Sequence, residues 1–142
     1  MVQQTTIPGI RRDIPPRPET FDGSGPEWIA YVTLQRQGLR PNIDFVFQSR
    51  VLGGRTELGG LVVDFLFNNP PGLAVNIQGV YYHYEQGSQG LARDIIAREL
   101  LAQQGITLIF VDDDDLMNNP NFYLLEALRG RDHSKLSQTG RT

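Results

Sequence analysis

None of the 142 residues is cysteine, which excludes disulfides and thiolate-bound zinc sites. Long apolar runs are also missing. Stretches such as Ile106 to Val111 fall far short of the roughly 20 residues a membrane helix needs, and no basic-then-apolar start resembles a signal peptide. A soluble, cytoplasmic protein with no membrane contact is expected. Positive charge is scarce: 13 Lys and Arg stand against 16 Asp and Glu, for a formal net charge of −3. That balance excludes a protein that coats nucleic acid by bulk electrostatics, because phosphate binding relies on a positive surface. Lysine is scarcer still, since Lys135 is the only one and every other basic residue is arginine. A hydrophobic content of 39% suffices for one globular core.

Residues 1–22 hold Pro8, Pro15, Pro16 and Pro18 among polar side chains, which predicts an extended arm that is flexible or bound to a partner. Residues 23–130 form the predicted domain and 131–142 a polar tail. Ser24-Gly25-Pro26-Glu27 is a helix start, with Trp28, Tyr31, Val32 and Leu34 as its apolar face and Gly38 as its stop. Ile43, Phe45 and Phe47 alternate with Asp44, Val46 and Gln48, the period of a strand. Leu61 to Phe67 and Leu73 to Val80, joined by Asn68-Asn69-Pro70-Pro71-Gly72, read as a hairpin. Ser88 starts a helix with Leu91, Ala92, Ile95, Ile96 and Leu100 on one face, ended by Gly105. Ile106 to Val111 is a buried strand, parallel to the one before it through a right-handed crossover. Asn121 to Arg129 is a closing helix. The expected fold is α/β, in the order αβββαβα around a mixed sheet.

With Phe67 opposite Leu73, antiparallel pairing puts Asp64 opposite Asn76 and brings Gln78 to the same face. Three polar side chains then converge on otherwise apolar strands. A lone polar residue in a strand usually faces water, but here Val62, Leu66 and Ala74 share the face. A buried Asp64 needs a partner, and a cation is a suitable one.

An Asp on one strand of a hairpin and polar residues two apart on the next resemble the PD-(D/E)xK nucleases. The segment Gln78-Gly79-Val80-Tyr81-Tyr82-His83 is similar to the branch containing very-short-patch-repair endonucleases. The resemblance covers about residues 26–115 and implies a restriction-endonuclease-like αβββαβ core. It places Asp64 at the first acid, Asn76 at the second and Gln78 at the lysine position, while Val63 stands where the family has proline.

That resemblance implies a Mg²⁺- or Mn²⁺-dependent DNA endonuclease of nicking, repair or junction-processing type. Asp64, Glu27 and the Ile77 carbonyl would hold the metal. Asn76 and Gln78 would assist, and His83 would move protons. Arg55, Tyr81 and Tyr82 would contact DNA, with Tyr84 as a further aromatic. Each has an ordinary alternative: a first-turn helix acid for Glu27, a satisfied sheet amide for Gln78, a structural histidine for His83, solvated loop charge for Arg55 and core caps for the tyrosines. Asp112 to Asp115 read as caps of the following turn, without a catalytic role. The competing reading is a catalytically degraded nuclease fold with a structural or binding role, such as a phage accessory or virion component. Its arm would then lace onto a neighbouring subunit or a second copy.

Overall fold

A computed structural model describes residues 13–51, 61–80 and 88–139. The protein is a mixed α/β domain in which one four-stranded sheet is covered on both faces. Its elements in order are α1 (Gly25–Arg36), β1 (Phe45–Val51), β2 (Leu61–Phe67), β3 (Leu73–Gln78), α2 (Ser88–Gln103), β4 (Thr107–Asp112), α3 (Asp113–Asn118), α4 (Pro120–Leu128) and α5 (Lys135–Thr139). The strand order is β1-β2-β3-β4. β1 and β2 are antiparallel, as are β2 and β3, while β3 and β4 run parallel across the α2 crossover. This is the predicted mixed sheet.

Local chemistry sets the first helix. Ser24 Oγ accepts the Glu27 N–H at 3.2 Å and Glu27 Oε1 accepts the Ser24 N–H at 2.7 Å. This capping box satisfies two otherwise orphaned donors. At the other end Gly38 takes φ +94°, which a side chain would resist, and the Leu39 N–H returns to the Leu34 carbonyl at 3.0 Å. The buried face is Ile29, Ala30, Val32, Thr33 and Leu34. Trp28 and Tyr31, predicted for that face, are half-buried in an aromatic cluster with Phe21 and Phe47, which Tyr31 joins to the core through Phe45.

That cluster corrects the picture of a loose arm for its described part. Residues 13–22 contain no helix or strand, yet they lie along α1. Phe21 stacks on Phe47 at 4.7 Å, Trp28 Nε1 donates to the Pro15 carbonyl at 2.7 Å, and Arg36 pairs with Asp13 at 3.2 Å. Proline bars regular structure, but it does not stop neighbouring aromatics from anchoring the chain.

The two faces of the sheet carry different layers. Phe45, Phe65, Phe67, Leu73, Val75, Ile109 and Val111 join α1, α3 and α4 in the larger core. Val63, Ala74, Leu108 and Phe110 join Leu101 of α2 and Leu136 of α5 in the smaller one. α2 meets its layer through Ile95, Ala97 and Leu101, whereas Ala92 is exposed and Ile96 is 57% exposed. The predicted face is therefore rotated, because Asp94, Ala97, Arg98 and Leu101 also keep helical spacing and that stripe turns inward. The first strand likewise begins later than its alternation suggests. Ile43 is exposed, and Asp44 is buried in a turn where its carboxylate accepts the Arg40 N–H at 2.7 Å.

The expected tail is docked where it is described. Leu136 is fully buried in the smaller core, and Asp132 Oδ2 accepts the Phe110 N–H at 2.8 Å. Because β4 is an edge strand, this segment covers donors that would otherwise template pairing with another chain. A polar composition concealed it, since only Leu136 is a large apolar residue there. Among the described residues, no helix is long and apolar enough to cross a membrane.

Candidate functional site

The hairpin register is the one that opposes Asp64 and Asn76: Phe65 pairs with Val75, Leu66 with Ala74 and Phe67 with Leu73. At Asp64 one flanking ladder is interrupted and the other, with β3, ends at Phe65↔Val75. β1–β2 pairing passes from Phe47↔Phe65 to Ser49↔Val63, skipping Gln48 and Asp64, and Gln48 has φ +56°. The apolar alternation slips there too, since Val63 joins the smaller core while Phe65 and Phe67 join the larger.

Side chains replace the missing ladder bonds. The Asp64 N–H donates to Asn76 Oδ1 at 2.8 Å, and Asp64 Oδ2 accepts the Ile77 N–H at 2.8 Å. Asn76 and Asp64 thus cross-link two strands and fix the carboxylate against β3. From α1, the Glu27 carboxylate stands beside Asp64. From α2, Asp94 Oδ2 accepts the Gln78 Nε2–H at 2.9 Å, and its charge also reaches Asp64. Gln78 is 3% exposed at the end of β3.

Crowding acids out of water makes the second charge costly. Burial first, then the Glu27 carboxylate, pushes Asp64 up to about 8, against the Ile77 N–H, which favours the ionised form. A hydrogen bond that the protonated Asp64 carboxyl donates to Glu27, and the charge of Asp94, push the same way. Asp64 therefore keeps its proton near neutral pH.

Of the residues predicted for the site, Asp64, Asn76, Ile77, Gln78 and Glu27 are brought together. Gln78, however, faces Asp94 rather than Asp64, so the three hairpin side chains do not form one simple cluster. Arg55, Tyr81, Tyr82 and His83 lie outside the described residues, as does Tyr84. Asp94 is the residue that reading the sequence missed. Its signal was available: it is the acid on the inward stripe that also holds Ala97 and Leu101, obscured by the neighbouring Ile95 and Ile96.

A second acidic group lies where β4 meets α3. Asp112, Asp114 and Asp115 offer oxygens within 4.8 Å of one another, so they can hold a metal ion. Lys135 already stands there, with Nζ at 3.4 Å from Asp114 and 3.7 Å from Asp112, and its N–H donates to Asp112 Oδ2 at 2.9 Å. Burial, then Asp114 and Asp112, raises Asp115 above the usual carboxylate range. The expected caps are only partly realised: Asp112 occupies the N-cap position of α3 but makes no side-chain cap bond, because its carboxylate is turned to Lys135.

No family model matches the chain, and neither a curated protein nor a solved structure matches it.

Proposed function

We propose that the chain is a Mg²⁺- or Mn²⁺-dependent DNA endonuclease of nicking, repair or junction-processing type, built on a restriction-endonuclease-like core of the PD-(D/E)xK class. One observation carries the reading: Asp64 of β2 is partly buried with the Glu27 carboxylate of α1 beside it, and burial and that charge push its carboxyl up to about 8. A folded protein gains nothing in stability by pressing two carboxylates together, whereas a divalent cation would compensate both charges. Oxygen-only ligands suit a hard cation. Asp64 and Glu27 supply the charge, and the Ile77 carbonyl is the neutral candidate. In an extended strand a residue's N–H and C=O point to the same side, and the Ile77 N–H points at Asp64.

The cation, when bound, supplies neutralisation of the scissile phosphate and acidifies water. The chain's own residues supply position. The Ile77 N–H fixes one Asp64 oxygen, Asn76 ties the Asp64 backbone across the hairpin, and Gln78 offers an amide to the attacking water. Because β2 enters at Leu61 and β3 leaves at Gln78 on antiparallel neighbours, both connections start from the end of the sheet that holds the site. Arg55 and the Tyr81-Tyr82-His83 segment belong to those connections, as DNA contact and proton-transfer candidates.

The test is nicking of supercoiled, mismatched, flap and four-way-junction DNA with Mg²⁺ and with chelator. Asp64→Asn is expected to abolish cutting while the domain stays folded. Equal cutting by that variant removes the proposed centre. The scaffold reading draws support from the structural employment of Asn76 and Gln78, both of which are already bonded. It is favoured if Mg²⁺ gives no Asp64-dependent thermal shift and no DNA is cut.

A further inference from the structure

The lysine position of the proposed centre holds Gln78, which can neither carry charge nor take a proton. Its environment nevertheless defines one orientation. Nε2 donates to Asp94 Oδ2 at 2.9 Å from within a nearly closed environment. Flipping the amide would set its carbonyl oxygen against a carboxylate oxygen, two acceptors without a proton between them, so chemistry fixes which atom faces Asp94. Oε1 is then the amide atom turned away from that carboxylate, and it can only accept. Gln78 directly follows Ile77, whose N–H holds Asp64 Oδ2 at 2.8 Å, so the couple stands one residue along β3 from the proposed reaction centre.

We propose that Asp94 is a positioning residue, locking the Gln78 amide so that its oxygen accepts a hydrogen bond from the attacking water and aims the water's lone pair. This inference rests on the endonuclease reading. In the reaction the water oxygen bonds to phosphorus and the bridging P–O bond breaks. The water's proton leaves to solvent, and solvent protonates the departing oxygen. The couple changes orientation alone, and a charged acceptor makes the stronger hold on a donor.

The experiment measures kcat and KM for nicking of supercoiled DNA by the full chain with Mg²⁺. Wild type, Asp94→Asn, Gln78→Met and the double variant are compared, with unfolding midpoints as controls. Asp94→Asn preserves size and should lower kcat about tenfold or more, because misorientation acts on the transition state, with KM nearly unchanged. If Asp94 acts through Gln78, the double variant should be no slower than Gln78→Met alone. Should Gln78→Met fail to fold, the side-chain amide proton resonances of Gln78 serve instead: widely split and slowly exchanging in wild type, collapsed in Asp94→Asn. Additive losses, unchanged kcat in Asp94→Asn, or amide resonances indifferent to that substitution overturn the positioning role while leaving the endonuclease intact. A wild-type chain that cuts no DNA overturns both.

Discussion

Replacing Asp64 by asparagine should change how the metal-free protein responds to pH. Its carboxyl sits at about 8 in the folded chain against 3.8 for an unperturbed aspartate side chain, so the folded state binds this proton more tightly than the unfolded state. Stability is then fully present below about 3.8, falls as pH rises, and has lost this contribution once pH passes about 8. The slope in that window cannot exceed about 1.4 kcal/mol per pH unit. Water reaches part of the residue, so about half that slope is expected. Between pH 5.5 and 7.5 the wild type should lose roughly 1 to 1.5 kcal/mol, or about 3 to 6 °C in Tm for a domain of this size. Asp64→Asn keeps the shape, removes the charge and should flatten that decline. Added Mg²⁺ at pH 8 should raise the wild-type Tm, by an amount that grows with the logarithm of its concentration, and leave the variant unmoved. Thermal unfolding followed by circular dichroism in chelator and in Mg²⁺ measures both effects. Parallel pH curves for the two proteins would refute the crowded-acid account of the site.

Three further substitutions probe the same architecture. Glu27→Gln retains an oxygen for the Ser24 N–H, so it should keep α1 capped while lowering the pH at which Asp64 ionises; a full loss of about 1 kcal/mol, as for a broken cap, would show the capping role dominating. Asn76→Ala strands the Asp64 N–H and should cost roughly 1 to 3 kcal/mol in urea unfolding, far more than an exposed strand substitution. Leu136→Ala should cost about 2 to 5 kcal/mol; a change under ~0.5 kcal/mol would mean that the segment after Gly130 is a loose tail after all.

Local rules account for what was readable beforehand. The Ser24–Glu27 capping box, the five-residue hairpin turn and the β-α-β crossover each depend on residues close in the chain, and together they dictate α1, the β2–β3 register and the parallel β4. From that register Asp64 and Asn76 had to be cross-strand neighbours. Helical spacing was weaker evidence for α2, because two overlapping stripes fit it and only contact with the sheet selects one. Composition misjudged the ends, since a few well-placed groups, Phe21 with Trp28 and Leu136 with Asp132, dock segments whose average character is polar.

Sequence alone determined the mixed sheet, the hairpin and the candidacy of Asp64, because hydrogen-bonding patterns and turn chemistry act over a few residues. Tertiary structure decided that burial and the Glu27 charge would raise Asp64, that Asp94 would take the Gln78 amide, and that β1–β2 pairing would skip Asp64. Those outcomes depend on how α1 and α2 settle on opposite faces of the sheet, and charge interactions between distant residues exist only once burial has removed the water between them.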